Sequence, residues 1–483
     1  FHCLWRDGAL PMSISLRTSS SAGGSANTYD RTVNFVTDYG GVSGGSQATN
    51  NAAADAFNTA YAGFTGRTQL IVPPGTYNIS TGFAPSSGSV VGGSKLTVSA
   101  YGATFQNLGG IGTIGGTFND NAHNAPFTTT SAGASTVTLV TSGQTSLFTA
   151  GRWVLITGID MQGYGYPQNP GLFEFKKIQS IGSGTLTFTE PLVNSYKSTW
   201  PNYAAGDGAN LNQGGPANVY VLRDAWDQEI EFKGATFGDV GGLIYNKGRV
   251  ALWTDCTFTT YGPCPSNNIL YRSTRCTGAG TGGLEIDKCV QRVEFIDSMH
   301  RAVDFQSGSI NELYVSNMTQ TGSNLRWRGG AGKSNTFANC NFGAFSFGEM
   351  NYGAMGPTTM TNCTATSGDW FIQTTLFSDV TEEGAGVLSY AGGPTPPTSH
   401  YWAVPGQNCV LVDSSNAWAR SFQVSDVTSS AGRTYVTTNL PFPVPGTING
   451  KTSPWKIASH PCSDLTMVNC SGNSMFTAQS LLP

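Results

Sequence analysis

A short pattern that returns about every 22 residues restricts the fold of this chain more than any other feature. Each copy has alternating apolar residues, then Gly, Asp or Asn, then a small or sulfur-bearing residue, as in VEFIDSMHR and TFANCNFGA. The copies begin at Ile230, Leu252, Val293, Leu313, Thr336, Thr359 and Leu465. The longer gaps after the copies at Leu252 and Thr359 indicate insertions.

The repeat predicts a parallel β-helix, in which coils of about 22 residues stack at a strand spacing of about 4.8 Å. The apolar alternation is typical of strands. The polar column contains Gly234, Asp255, Asp297, Asn317, Asn339, Asn362 and Asn469. It is predicted to form a ladder of turns, because Asn tolerates the left-handed backbone. The next column should point into the core, and it contains Ala235, Cys256, Ser298, Met318, Cys340, Cys363 and Cys470.

The composition excludes several classes of protein. Charged residues make up 11% of the 483 residues and the net charge is -4, which argues against coiled coils and against nucleic-acid binding. No run of 18 apolar residues predicts a membrane span. The sequence contains no C-x-x-C pair, and we expect no metal and no cofactor. Cys264, Cys276 and Cys289 are either buried thiols or include a disulfide.

The segment from Val33 to Ser80 resembles the entry segment of the pectate-lyase-like superfamily, which includes phage tailspike depolymerases. The resemblance rests on VNFVTDYGGVSGG, NNAAADAFNTAYAGF and LIVPPGTYNIS. It implies a right-handed parallel β-helix, an N-terminal capping helix, action on carbohydrate and assembly as a homotrimer. The apolar face of that helix should contain Ala53, Phe57, Ala60 and Tyr61. The loop Gly40–Thr49 lacks the family's aspartates, and we interpret this departure as structural.

The predicted fold class is therefore all-β, a right-handed parallel β-helix solenoid with an N-terminal capping helix and an inserted antiparallel β-subdomain. The expected divisions are a leader or tail segment (1–30), the cap and first coils (31–126), the inserted β-subdomain (127–225), the central coils (226–379), an aromatic and Pro-rich insertion (380–460) and the last coil (461–483). Aromatic loops in the first insertion contain Tyr164 and Trp200. Such loops suit stacking on sugar rings, subunit contacts or simple packing.

Candidate catalytic residues lie on the second strand of each coil. Counting from the small-residue column places Phe305, Leu325, Phe347 and Trp370 inward. Alternation then places Asp304, Gln306, Asn324, Arg326 and Asp369 on one outer face. Glycoside hydrolysis needs two carboxyl groups about 5–9.5 Å apart. The first predicted pair is Asp304 with Glu349, and the second is Asp369 with Glu349.

Other residues complete this hypothesis or compete with it. Arg326 or Arg328 would hold an acidic sugar, and His300, Gln306 or Tyr271 would assist catalysis or binding. The acidic run containing Asp227, Glu229 and Glu231 is a rival site. The structural alternative is that Asp304 and Arg326 form an ion pair between rungs.

The sequence thus favours an enzyme that cleaves or rearranges glycosidic bonds of a polysaccharide or oligosaccharide. Hydrolysis or transglycosylation is preferred to β-elimination by a lyase. The competing hypothesis is a non-catalytic glycan-binding tailspike or surface spike. We expect an extracellular or virion-associated homotrimer, with no visible signal peptide in this sequence.

Overall fold

A computed structural model describes most of the chain between residues 29 and 472. The described residues are 29–83, 93–107, 124–158, 172–198, 200–204, 212–215, 217–222, 226–238, 244–246, 248–278, 284–285, 287–305, 309–327, 334–347, 357–367, 374–384, 386–391, 408–413, 419–439, 447–448, 451–452, 455–459 and 465–472. Within them, no helix is long and apolar enough to cross a membrane.

The first of two long parallel sheets runs from the N-terminal strand to the last coil. Its strands, in spatial order, are β1 (Arg31–Asn34), β2 (Arg67–Ile71), β4 (Ser94–Ser99), β14 (Gln228–Lys233), β17 (Val250–Thr254), β19 (Pro263–Thr274), β22 (Asp287–Ile296), β24 (Ser309–Ser316), β26 (Ser334–Ala338), β28 (Thr358–Thr361) and β38 (Leu465–Val468). A short strand, β16 (Ile244–Asn246), pairs with β19.

The second parallel sheet takes one strand from each coil. Its strands are β3 (Gly75–Asn78), β5 (Ala103–Gln106), β15 (Thr236–Gly238), β18 (Thr257–Phe258), β20 (Thr277–Gly278), β23 (Met299–Phe305), β25 (Thr319–Trp327), β27 (Asn341–Phe347), β29 (Thr364–Ser367) and β39 (Ser471–Gly472). A further strand, β21 (Leu284–Glu285), pairs with β23. The alternation of the two sheets along the chain makes a β-helix solenoid, as the repeat predicts.

We number a coil by its first-sheet strand and the second-sheet strand that follows it. Coils 1–10 are β2–β3, β4–β5, β14–β15, β17–β18, β19–β20, β22–β23, β24–β25, β26–β27, β28–β29 and β38–β39. Coil 5 corrects the sequence analysis, which interpreted the gap after Leu252 as an insertion. Its corner residue is Arg275, a residue type that the Asn and Asp pattern does not contain.

The corners between the two sheets form the predicted ladder. Left-handed backbone, with φ between 50° and 73°, recurs at Gly234, Asp255, Arg275, Asp297, Asn317, Asn339, Asn362 and Asn469. From coil 7 onward each Asn donates its Nδ2 to the side-chain oxygen of the corner before it, at 2.7, 3.1, 3.0 and 3.3 Å. At Gly234 the ring of Tyr101 occupies the space of a side chain, since a Cβ there would lie 2.2 Å from it.

The small-residue column points into the core, as predicted. Ala235, Cys256, Ser298, Met318, Cys340 and Cys363 are buried, and Cys276 joins them in coil 5. Cys470, in the last coil, is half-buried. Cys264, Cys276 and Cys289 are free thiols, so the structure contradicts a disulfide among them.

The N-terminal segment forms the expected helix, α1 (Gln47–Ala62), whose N-cap Ser46 accepts a hydrogen bond from the Thr49 amide. Ala53, Phe57 and Tyr61 are buried in the solenoid's core cluster. Ala60 is exposed and Ala54 takes the buried position instead. The handedness of the solenoid and the capping role of α1 stay predictions.

A unit of antiparallel strands, which we call the first unit, lies between β5 and β14. Its strands β6 (Asn124–Pro126), β7 (Thr136–Thr138), β8 (Trp153–Thr157), β9 (Phe173–Gly182), β10 (Thr185–Phe188) and β13 (Asn218–Val221) form one sheet, and β11 (Trp200–Ala204) pairs with β12 (Asn212–Gly215). A 3-10 helix spans Ser142–Leu147.

A buried ion pair secures the segment that precedes β11. The Lys176 ammonium lies 3.1 Å from the Glu174 carboxylate, and both side chains are more than nine-tenths buried. Glu174 also accepts hydrogen bonds from the amides of Val193 and Asn194, at 2.9 and 3.2 Å, and from the Tyr196 hydroxyl at 2.8 Å. One carboxylate therefore fixes residues 193–196 on the sheet.

A closed antiparallel barrel lies between β29 and β38. Its strands are β30 (Thr374–Gly384), β31 (Val387–Ala391), β32 (Asn408–Asp413), β33 (Ala419–Ser430), β34 (Arg433–Thr438) and β37 (Trp455–Ser459). A small pair, β35 (Thr447–Ile448) and β36 (Lys451–Thr452), precedes β37. The long gap before the last repeat copy therefore contains additional strands.

We expect Asn339→Ala to destabilise the solenoid more than Asn339→Gly, by about 1 kcal/mol in the free energy of unfolding. Both variants lose the hydrogen bonds to Asn317 and Asn362, but only Gly adopts the left-handed backbone without strain. Denaturant titration measures the difference. At the exposed strand position Asn341 the order should be reversed, because Gly is unfavourable in strands. The same order at both positions would contradict the ladder's backbone requirement.

Glu174→Gln should loosen residues 193–196, because it leaves the buried Lys176 ammonium without its counter-charge. Removal of one partner of a buried pair costs about 3–5 kcal/mol. Hydrogen exchange at the Val193 and Asn194 amides would measure the loss of protection. The double variant Glu174→Gln with Lys176→Met should recover much of it. Unchanged exchange in the single variant would show that the ion pair does not hold this segment.

Candidate functional site

Both additional units leave the solenoid at the same connection within a coil. The first unit follows β5 and the barrel follows β29, so each lies between a second-sheet strand and the next first-sheet strand. We call this side of the solenoid, formed by all connections of that type, the insertion edge. The coils between the two units span roughly 30 Å at the usual strand spacing.

The first unit lies along this edge. Leu155, Phe173 and Tyr220 of the first unit share an apolar cluster with Trp226 and Cys289, the last of which lies in coil 6. The Asn311 amide of coil 7 donates to the Phe173 carbonyl at 3.5 Å. The first unit therefore covers the edge of the solenoid as far as coil 7.

The barrel contacts the first unit from the other end of the edge. Lys197 of the first unit forms an ion pair with Asp426 of the barrel, and β11 packs on β33. We use the term junction for the region where the first unit meets the barrel, at β11 and β33. Ligand sites form preferentially at such meetings of units.

A column of ionisable residues runs along the second sheet, close to the ends of strands β21, β23 and β25. Glu285 of β21 is the register partner of Asp304 in β23, and Asp304 is the partner of Arg326 in β25. Ser346 of β27 follows in the same column. The neighbouring column contains Val303, which is fully buried. Two carboxyl-bearing residues therefore lie on adjacent rungs beside an arginine.

This register refines the counting used in the sequence analysis. Phe305 pairs with Trp327 and not with Leu325, because two additional residues interrupt the β23–β25 ladder after His300. Leu325 instead pairs with Val303 and Phe345. Glu285 could not be predicted as a site residue, because its short strand follows a Gly-rich stretch and lacks the repeat pattern.

Several predicted site residues lie outside the described residues. They are Glu349, Asp369, Arg328, Gln306 and Tyr164. Trp200 lies in β11, for which the backbone alone is described. Both predicted carboxyl pairs include Glu349, so they stay predictions.

Two predicted substrate contacts are wrong, because His300 and Tyr271 are buried in the solenoid. His300 follows Gly278 in an inward column, where a Cβ on Gly278 would lie 2.7 Å from the imidazole. Tyr271 follows the small Ala251 in another inward column. Each large ring fills the space that a small residue leaves on the preceding rung. Burial lowers the pKa of His300 to about 4.

The rival acidic run forms an ion-pair network on the outer face of the first sheet. Arg249 contacts Asp227 Oδ1 through Nε at 2.7 Å and Glu229 Oε1 through Nη2 at 3.0 Å. Lys95 pairs with the other oxygen of Glu229. Partial burial opposes ionisation of Glu229, but the Lys95 ammonium and the Arg249 guanidinium outweigh it and lower its pKa. An ionised carboxylate with both oxygens engaged cannot donate a proton at neutral pH, so Glu229 does not suit the role of general acid. A catalytic role of this acidic run stays a prediction.

The same face continues with charged pairs that the sequence analysis did not single out. Arg272 and Arg292 both contact Glu294, whose side chain is 5% exposed, and Arg292 Nη1 lies 2.8 Å from Glu312. Lys233 pairs with Glu231 at 3.1 Å. The signal in the sequence is the i, i+2 spacing of charges in strands such as QEIEFK and QRVEF.

No protein-family model and no curated protein matches the chain. Solved structures that are similar to it include the tailspike gp61 of Pseudomonas phage phi297, at 10% identity and a TM-score of 0.32, covering 89% of this chain and 99% of that one. The tailspike gp49 of Pseudomonas phage LKA1 has 9% identity and a TM-score of 0.27, covering 86% and 93%. The Gp54 tailspike of Acinetobacter baumannii bacteriophage AP22, solved with a capsular saccharide, has 10% identity and a TM-score of 0.24, covering 85% and 93%. At these scores the likeness carries no argument about chemistry, and membership of the pectate-lyase-like superfamily stays a prediction.

The solenoid should lose stability as the pH falls from about 6.5 to about 4, because His300 is buried as a neutral group. Its pKa is about 4 in the folded chain and about 6.5 in an unfolded one. The unfolded state therefore binds the proton first, and the loss approaches about 3 kcal/mol. Urea titrations at pH 7 and pH 4 measure it. His300→Gln, which copies Gln320 of the next rung, should flatten the difference; equal pH dependence in both proteins would refute the assignment.

Proposed function

We propose that the chain is a carbohydrate-active enzyme that cleaves or rearranges glycosidic bonds of a polysaccharide. The observation that supports it most is the register column Glu285–Asp304–Arg326. Adjacent strands are about 4.8 Å apart. Retaining glycosidases hold their two carboxyl groups about 5–5.5 Å apart. A pair on adjacent rungs therefore suits retention.

The order of the three residues suggests a role for each. Two neighbouring carboxylates resist simultaneous ionisation, and a cation beside one of them favours its charged form. Asp304 lies between Glu285 and Arg326, so it serves as the nucleophile or base. Glu285, at the end of the column, donates the proton to the leaving glycosidic oxygen. Arg326 binds a hydroxyl or carboxylate of the sugar.

A second candidate is β-elimination on an acidic polysaccharide. It is favoured by the direct neighbourhood of Asp304 and Arg326 in the column. An arginine would neutralise the uronate carboxylate while the neighbouring carboxylate removes the α-proton. A non-catalytic glycan-binding spike is the third possibility and an outcome of the test below.

We also propose that the chain acts outside cells or on a virus particle, as a homotrimer. Support for self-association comes from an uncharged outer column of the second sheet. Its members, in register from coil 1 to coil 10, are Thr76, Thr104, Thr236, Thr257, Thr277, Met299, Thr319, Asn341, Thr364 and Ser471. Such a surface can pack against another copy without burying charge.

A panel of neutral and acidic polysaccharides tests the proposed activity. We expect shortening of at least one polymer, and Glu285→Gln and Asp304→Asn should each lower the rate roughly 10²–10⁴-fold. New reducing ends without unsaturated uronate indicate hydrolysis, and unsaturated uronate indicates elimination. NMR of the first product should show retained anomeric configuration if both carboxyl groups act as proposed.

Glu312→Gln is the matched control, since Glu312 is an exposed carboxylate on the first sheet and should leave the rate unchanged. Near-normal rates in both Glu285→Gln and Asp304→Asn would exclude this column as the catalytic site. Binding of a polymer without any shortening by the wild-type chain would favour the spike.

A further inference from the structure

The contact between the first unit and the barrel includes, besides the packing of β11 on β33, an ion pair between two side chains that the fold positions separately. Lys197 pairs with Asp426 Oδ2, and their side chains are 35% and 22% exposed. The residues lie far apart in sequence, on units that leave the solenoid from coils 2 and 9. The ion pair therefore connects the two units across the insertion edge of the coils that lie between the units.

The lysine side of this contact is mounted rigidly. Tyr196, its neighbour, exchanges backbone hydrogen bonds with Thr130 at 2.8 and 2.9 Å, and its hydroxyl is held by buried Glu174. The Lys197 carbonyl accepts from the Ala217 amide at 2.9 Å. The backbone of Lys197 thus has little freedom to follow the barrel if the barrel moves.

The aspartate side has its own local support. The ladder between β33 and β34 shifts register between Val424 and Asp426. Such bulges turn a side chain away from its regular direction. The Val427 amide donates to Asp426 Oδ1 at 2.7 Å, which leaves Oδ2 aimed at the lysine. The carboxylate is therefore oriented before the lysine arrives.

We propose that Lys197 and Asp426 form a salt-sensitive latch that holds the first unit against the barrel at the junction. Ion pairs of this exposure shift an equilibrium by at most roughly fivefold, so the latch is weak enough to open in ordinary solution. The screening length falls from about 10 Å at 0.1 M salt to about 3 Å at 1 M. Salt therefore favours the open state.

The latch has a consequence for substrate choice, which rests on the proposed function. On that proposal, a long polymer crosses the contact between the two units to reach the column, whereas a short oligosaccharide reaches the column without separating them. The closed latch therefore selects against long chains, and opening it should raise the rate on polymer relative to oligomer.

Distance measurements between the two units test the latch without any ligand. Spin labels at Val193→Cys in the first unit and Ser430→Cys in the barrel, both at exposed positions, are introduced in a background in which Cys3, Cys409, Cys462 and Cys470 are replaced by Ser. Lys197→Glu should broaden and lengthen the distance distribution, and Lys197→Glu with Asp426→Lys should restore it. In the wild type, the distance distribution should broaden when NaCl is raised from 0.1 to 1 M, because the screening length falls. In Lys197→Met, the distribution should be broad at both salt concentrations. A distribution that no variant and no salt changes would overturn the latch.

The substrate consequence has a separate readout. On a polymer that the wild type shortens, Lys197→Met should raise the ratio of polymer to oligosaccharide rates by roughly threefold to fivefold, with the oligosaccharide rate unchanged. An unchanged ratio together with altered distances would overturn the gating role. If the wild type shortens no polymer, the proposed function fails, and the distances still decide whether the latch exists.

Discussion

The in-register stacking of one coil on the next is the constraint on which the remaining structure depends. Parallel pairing brings each residue beside its equivalent on the next rung. The residues of each column must therefore pack favourably against one another. Inside, rings either stack on rings, as Phe232 does on Trp253, or follow a small residue, as His300 follows Gly278. At the corners, asparagines in the left-handed conformation form hydrogen bonds with one another through their side-chain amides. Outside, opposite charges lie on neighbouring rungs, as Arg272 lies beside Glu294 and Arg292 beside Glu312. The same rule that stabilises the solenoid therefore arranges its ionisable groups.

Both additional units are inserted at the same connection of the coil, and the candidate column lies close to that connection. The corner between the sheets must keep its left-handed residue to preserve the ladder. The connection back to the first sheet has no such requirement, so it can accept a sheet after coil 2 and a barrel after coil 9. The ion pair between Lys197 and Asp426 joins these two units. The column of Glu285, Asp304 and Arg326 lies near the ends of the second-sheet strands, where those connections begin.

Much of the fold followed from residue types that reveal their position directly. Asn at a corner indicates a left-handed turn, and Cys beside it indicates a side chain that points inward. Both columns could therefore be predicted. Arg275 holds the same corner backbone, but an arginine gives no sign of it, and coil 5 was missed. Counting residues failed in β25, because additional residues interrupt the ladder without disturbing the apolar alternation. The burial of His300 could not be predicted, because a polar residue type does not show whether its column points into the core or outward.

The sequence by itself determined the repeat, the strand content, the turn ladder and the inward cysteines, because these depend on neighbours within one coil. Only the tertiary structure decided which residues meet between coils and between units. Glu285 meets Asp304 through a register that depends on β21, and Lys197 meets Asp426 because two units converge from opposite ends of one edge. Such meetings depend on long-range packing, and no local pattern of residues encodes them.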